Sequence, residues 1–350
     1  MIRMKGKRLL VLLSLVAIAA LAAGLAAGVG SAGESRANPT GKSYKIFFLP
    51  KFIGIGVFTE NGKGGKEAGK ELGDTVVYNG PTEPVGAKQV PFIESAVRQG
   101  FDAIVISAPD ANAVAPALLR ARARGVKVVS YDGDVRPDAR EIFVSPPLAS
   151  DIGAFQVEWL GSQIGYKGEF AILSATPTAA NQNTWIKWMK VALKKPKYRN
   201  MKLVKIAYGN DKPVDSARET QALLQAYPNL KGIIAPTTVG ISAAAQVLSQ
   251  EGACGKVALT GLGLPNEMRK FVKKGCARKF GLWNERDFGY LAVYVAHHVL
   301  DGTITGKIGE TFKAGRLGTR QVVNCAGVKP CVVLGKPLVF TPQNIDKFNF

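Results

Sequence analysis

From Tyr44 onward, apolar and polar positions alternate in a regular way. Short apolar runs end in turn residues and are followed by stretches with helical spacing. The pattern predicts strands over Tyr44–Leu49, Thr75–Tyr78, Ala103–Ser107 and Val126–Tyr131. Between them lie a helix opening on glycines over Gly62–Leu72 and a stripe of Val90, Ile93 and Val97. Asp110 is placed to cap a further helix, whose stripe is Val114, Ala117, Leu118 and Ala121 and whose stop is Gly125. The pattern then restarts. Strands are predicted over Glu169–Ser174, Lys202–Tyr208, Gly232–Ala235, Val257–Thr260 and Lys279–Leu282, and helices over Ile152–Ile164, Asn183–Leu193, Ser216–Tyr227, Asn266–Lys274 and Phe288–Leu300. Ile241, Ala244, Ala245 and Leu248 form one more helical stripe. The tail reads as β structure over Gln321–Asn324, Val332–Leu334 and Leu338–Phe340. Repetition of βαβ units means parallel sheets with helices on both faces. The economical reading is α/β, with two doubly wound parallel-sheet domains in tandem.

The first residues break this pattern. Arg3, Lys5, Lys7 and Arg8 precede an uncharged run from Leu9 to Val29, followed by Gly30, Ser31, Ala32, Ser35 and Ala37. Basic start, apolar middle and small-residue exit describe an export signal, with cleavage after Ala32 or Ala37. Residues 1–37 are therefore assigned to signal and linker, and the protein to the periplasm or the exterior of the cell envelope. The alternative is an uncut signal anchor, since the run is long enough to span a bilayer.

Length and charge add limits. A chain of 350 residues suits two compact domains better than one. Its formal charge is +20, and loss of the four signal charges leaves about +16. Export and the scatter of lysine and arginine, with no basic helix face interleaved with aromatics, argue against nucleic acid. All four cysteines, Cys254, Cys276, Cys325 and Cys331, lie in the last hundred residues. In an exported chain an even count suggests two disulfides. Three pairings are open, and proximity favours Cys254 with Cys276 and Cys325 with Cys331. No Cys-x-x-Cys motif is present, and no metal is assigned.

In open parallel sheets, ligands bind beyond the carboxyl ends of the strands. The residues at those places are Lys51 and Phe58 after the first strand, Asp132 and Asp134 after the fourth, and Asn181, Gln182 and Trp185 after Glu169–Ser174. Pro236 and Thr238 follow Gly232–Ala235, Leu264 follows Val257–Thr260, and Asn284 follows Lys279–Leu282. A lysine, carboxylates, amides, hydroxyls and aromatics suit a small polyhydroxylated ligand. Each hydroxyl both donates and accepts, and aromatic faces cover the C–H side of a ring. Trp185 is as well placed for the core as for a pocket.

Enzyme motifs are missing. Gly54-Ile-Gly56 lacks the third glycine of a dinucleotide fingerprint, where Thr59 stands. Gly62-Lys-Gly-Gly-Lys66 lacks the spacing of a phosphate loop and is followed by Glu67. No Gly-x-Ser-x-Gly elbow occurs, and His297 and His298 pair with no evident nucleophile. No catalytic residue and no cofactor is assigned.

The stretches Phe48–Thr59, Tyr78–Pro84, Ala171–Thr176, Asn181–Trp185, Ile234–Ile241 and Thr260–Pro265 resemble type I periplasmic binding proteins, the sugar receptors of ABC importers in the ribose-receptor class. The first two are similar to autoinducer-2 receptors and the later ones to rhamnose receptors. The autoinducer-type site implies roles for Lys51, Asp132, Gln182 and Pro236. It also implies an aspartate where Asn181 stands and an alanine where Thr238 stands. The rhamnose-like branch matches at both, so the resemblance implies a deoxyhexose or related monosaccharide. It further implies Phe58 as a stacking aromatic and Asn284 as a hinge-side amide. Hinge strands are expected near Pro137–Ile142, Leu282–Arg286 and Gly315–Gln321. The lobes would then be residues 41–138 with 286–316, and 139–285 with 317–350. A monomer that closes on its ligand and delivers it to an ABC permease is implied, with autoinducer-2 uptake and sugar sensing as alternatives.

Overall fold

A computed structural model describes residues 41–350. The expected signal segment, 1–37, lies outside the described residues. Among them, no helix is long and apolar enough to cross a membrane.

The first sheet is built on β1 (Lys45–Leu49), β2 (Thr75–Tyr78), β3 (Ala103–Ile106), β4 (Lys127–Tyr131) and β5 (Ile142–Ser145). These run parallel in the order β2-β1-β3-β4-β5. Helices α1 (Gly56–Leu72), α2 (Gly86–Arg98) and α3 (Ala111–Ala123) connect them. The period-2 rule sorts β1 between two cores. Ile46 and Phe48 pack in one with residues such as Leu291 and Val293, while Phe47 and Leu49 pack in the other with Ile93, Val114 and Leu118. Asp110 caps α3 as expected, its carboxylate accepting from Asn112 and Ala113 N–H.

The second half repeats the plan. It runs α4 (Ala149–Ile164), β6 (Lys167–Ser174), α5 (Ala180–Leu193), β7 (Asn200–Tyr208), α6 (Pro213–Ala226), β8 (Leu230–Ala235), α7 (Thr238–Gln250), β9 (Ala258–Gly261), α8 (Pro265–Lys273) and β10 (Phe280–Leu282). The parallel sheet order is β7-β6-β8-β9, and a parallel bridge from Leu262 to Gly281 brings β10 alongside. Each half therefore reverses strand order after its first strand, at β1/β3 and at β6/β8. Those are the switch points where crevices open.

Helix α9 (Glu285–Leu300) returns to the first half and packs on α1. Glycine permits the approach. A Cβ on Gly64 would fall 1.7 Å from the Arg286 carbonyl oxygen, and one on Gly289 would fall 1.9 Å from that of Asn61. The same packing explains why α1 starts six residues before the expected Gly62. Its first turns have weak helical propensity but are held against neighbouring elements.

The tail is divided differently from the expectation. β11 (Thr311–Lys313), β12 (Thr319–Cys325) and β13 (Val328–Val333) extend the first sheet, because β13 pairs parallel with β5 and so covers its open edge. Only β14 (Leu338–Phe340) joins the second half, antiparallel to β10. The chain thus passes between the two sheets after Ser145, after Leu282 and after Val333. The expected boundaries at 138/139 and 316/317 fall too early by this strand pairing. Disulfides join Cys254 to Cys276 and Cys325 to Cys331.

Candidate functional site

Loops from both switch points meet around a cavity of about 50 Å³. From the first half come Lys51, Phe58, Asn61 and Asp132; from the second come Asn181, Gln182, Trp185, Asp211, Pro236, Thr237 and Thr238; Leu282, Trp283 and Glu285 arrive on a crossing segment. Beyond Ile55, Thr238 and Val239, which line both, lies a wider groove of about 580 Å³.

Asp132 is the centre. It follows β4 with φ at 53°, in the left-handed region. The turn is tight because Gly133 follows, where a Cβ would lie 2.3 Å from the Ala108 carbonyl oxygen. One carboxylate oxygen of Asp132 receives Lys51 Nζ at 3.0 Å and Ser107 Oγ at 2.9 Å. The other receives Asn181 Nδ2 at 2.8 Å, from the opposite half. Asn181 Oδ1 accepts from the Gln182 N–H. Gln182 in turn commits its Oε1 to Ser174 Oγ and Ala175 N–H, both at 2.8 Å, so its Nε2 donors remain for the cavity.

Thr237 caps α7, accepting from Gly240 N–H while its hydroxyl donates to Asp211. Three aromatics, Phe58, Trp185 and Trp283, are among the apolar groups of the wall. Phe58 meets Phe52 edge-on at 5.5 Å, and Trp185 meets Trp283 at 6.0 Å.

Three carboxyl groups, Asp132, Asp211 and Glu285, share this wall with a single ammonium, Lys51. Burial pushes the Glu285 carboxyl well above the usual range; the bond from Asn61 Nδ2 at 2.7 Å opposes this, and Asp132 adds to it. Burial also raises Asp211, against the pull of Lys51 and of the Thr237 hydroxyl. A site so furnished suits a neutral ligand rich in hydroxyls and disfavours an anion.

Three expected residues do not line the cavity. Asp134 turns away to make a two-pronged pair with Arg140, at 2.7 and 3.0 Å, and accepts from Ser130 Oγ. Leu264 is the N-cap residue of α8, buried against the other half, where a Cβ on Gly56 would lie 2.7 Å from its Cδ1. Asn284 spends its Oδ1 on the Arg286 and Asp287 N–H groups at the start of α9. Its neighbours Trp283 and Glu285 line the cavity instead. Sequence reasoning missed Asn61, Asp211 and Glu285, while Thr237 and Trp283 lie in the post-strand loops it points to. Asp211 was findable, since it follows the strand Lys202–Tyr208. Asn61 lies three residues after Phe58, on the same helix face.

The profile of the family described as "Periplasmic binding protein domain" matches residues 46–304. The chain belongs to the periplasmic binding protein family. Solved structures agree. A sugar ABC transporter protein from Actinomyces odontolyticus is 42% identical, with 88% of this chain and 98% of that one covered and a TM-score of 0.70. An ABC transporter solute-binding protein from Clostridium phytofermentas with bound L-rhamnose is 34% identical, with 87% and 98% covered and a TM-score of 0.85. LsrB from Clostridium saccharobutylicum, in complex with AI-2, is 26% identical, with 87% and 100% covered and a TM-score of 0.82. This periplasmic binding protein therefore falls among the sugar-binding solute receptors of ABC transporters, which are binding proteins and not enzymes. The family is an exported one.

Proposed function

We propose that this receptor binds a neutral monosaccharide, a deoxyhexose such as rhamnose, between its two sheets and presents it to an ABC permease by closure about the three crossing segments. The observation that carries the reading is the single carboxylate of Asp132, bonded at once to Lys51 of its own half and Asn181 of the other. A pair of adjacent sugar hydroxyls replaces that contact with the same donors and acceptors, and so couples ligand binding to the approach of the halves. The cavity is narrow in this arrangement, with Asn181 bonded to Asp132 across it. The sugar therefore enters by parting Asn181 from Asp132, and the groove beyond Ile55 and Val239 is the way in. Phe58, Trp185 and Trp283 cover the C–H faces of the ring, and Leu262, Leu282 and Val239 offer apolar surface to a methyl group in place of a hydroxymethyl.

A second reading, autoinducer-2 uptake, draws on Lys51, Asp132, Gln182 and Pro236 and on the likeness to the AI-2-bound structure. Asn181 and Thr238 count against it, because the first supplies no charge and the second adds bulk. Titration of the purified chain with L-rhamnose, other monosaccharides and AI-2 tests both readings. Rhamnose as the tightest ligand supports the first, and AI-2 alone the second.

A further inference from the structure

Helix α9 begins at the cavity with Glu285. Twelve residues and ~18 Å further along, at its other end, three side chains converge. His297, His298 and Asp301 each place a ligand-type atom within 4.8 Å of the others.

Hydrogen bonds fix the tautomers. His297 Nδ1 lies 2.7 Å from Asp74 Oδ2, an acceptor, so the ring proton sits on Nδ1. His298 Nε2 lies 3.0 Å from the Lys313 carbonyl oxygen, so its proton sits on Nε2. A neutral imidazole has one N–H, which leaves lone pairs on His297 Nε2 and His298 Nδ1. Both face Asp301 Oδ2, at 3.6 and 3.3 Å respectively. Three lone-pair atoms directed at one another repel unless a cation lies among them, whether a metal ion or a proton carried by His298 Nδ1 toward Asp301.

The separations tell which cation fits. Charge-assisted N–H···O bonds from protonated rings would be ~2.7–2.9 Å long. Zinc bonds of ~2.0–2.1 Å give a tetrahedron with edges of roughly 3.3 Å. The two separations to Asp301, 3.3 and 3.6 Å, are close to that edge, and the two ring nitrogens lie within 4.8 Å of each other.

The outer ring of contacts is complete in the way metal sites require. Asp74 steadies His297 and takes the Tyr44 N–H on its other oxygen, at 3.0 Å. Asp301 takes the Thr303 N–H on Oδ1, at 2.8 Å, leaving Oδ2 for the cluster. His297 and Asp74 are buried, while the His298 side chain is 15% exposed and gives solvent access.

We propose that His297 Nε2, His298 Nδ1 and Asp301 Oδ2 bind a divalent transition-metal ion of the zinc class, with water completing the tetrahedron. The ion would pin the end of α9 to the starts of β1 and β2 through Tyr44 and Asp74, and to β11 through Lys313. It lies too far from the sugar cavity to touch the ligand.

The test uses the tag-free chain, stripped with a chelator and titrated with zinc by calorimetry. One zinc per chain is expected, with binding weakened at least tenfold in both His298→Ala and Asp301→Asn and sugar affinity unchanged in each. Long-range proton–nitrogen spectra of the unaltered chain should show zinc shifting His297 Nε2 and His298 Nδ1. No saturable zinc binding overturns the proposal. So does zinc binding that both variants retain in full, or spectra in which neither nitrogen responds.

Discussion

Asn181 Nδ2 donates to Asp132 Oδ1 at 2.8 Å, joining a helix of the second half to a turn of the first. The bond is neutral on one side, which bears on ligand choice. Asn181→Asp would set two carboxylates against each other across the cavity and supply the charge expected of an autoinducer-type site. The ratio of AI-2 to rhamnose affinity should rise by at least tenfold, as competition calorimetry would read. An unchanged ratio would mean that position 181 does not set the choice.

Glu285 gives the protein a pH signature. Its carboxyl is raised in the folded state and has an ordinary value of ~4.3 when unfolded. The native state then holds the extra proton between those two values, so the contribution to stability is intact below the unfolded value and is lost as pH rises through the folded one. Glu285→Gln keeps the acceptor for Asn61 and removes the titration. Its melting temperature should exceed that of the parent by a few degrees at pH 7–8 and match it near pH 4. A gain of equal size at both pH values would show that burial of the charge is not the cause.

Asp134 separates folding from binding. The Arg140 side chain is fully buried and Asp134 is its carboxylate partner. Asp134→Ala leaves an unpaired buried guanidinium, which costs on the order of 3–5 kcal/mol. Denaturant melts should show that loss, while the sugar dissociation constant measured on the remaining folded protein stays within about twofold. A hundredfold weaker affinity with normal stability would return Asp134 to the cavity wall.

The two disulfides close loops of different length, with sequence separations of 22 for Cys254–Cys276 and 6 for Cys325–Cys331. Chain entropy assigns them about 3 and about 2 kcal/mol. Replacement of the first pair by serine should therefore lower stability more than replacement of the second. The reverse order in urea melts would locate the effect in native packing instead.

The fold was largely legible because strands and helices here obey their own periods. β1 divides its residues between two cores, and α3 carries its cap in Asp110. The switch points then pointed to Lys51, Asp132, Asn181, Gln182 and the Pro236–Thr238 turn. What escaped notice depends on contacts between distant segments. The early start of α1 needs Gly64 and Gly289 to press two helices together. The return of β13 to β5 is a pairing that no local pattern encodes. Asp134 and Asp132 look alike in Tyr131-Asp-Gly-Asp134, and only the position of Arg140 distinguishes them. Glu285 lies next to the expected Asn284, and helix rotation alone decides that it faces inward while Asn284 caps.

Calorimetric titration of L-rhamnose into the purified chain, beside Asp132→Ala, tests the central claim most directly. Charged hydrogen bonds to a ligand contribute ~1.5–3 kcal/mol each. The expected result is one site per chain with affinity falling at least a hundredfold in the variant. Rhamnose binding that Asp132→Ala leaves untouched, or no monosaccharide bound by the parent at all, would contradict it.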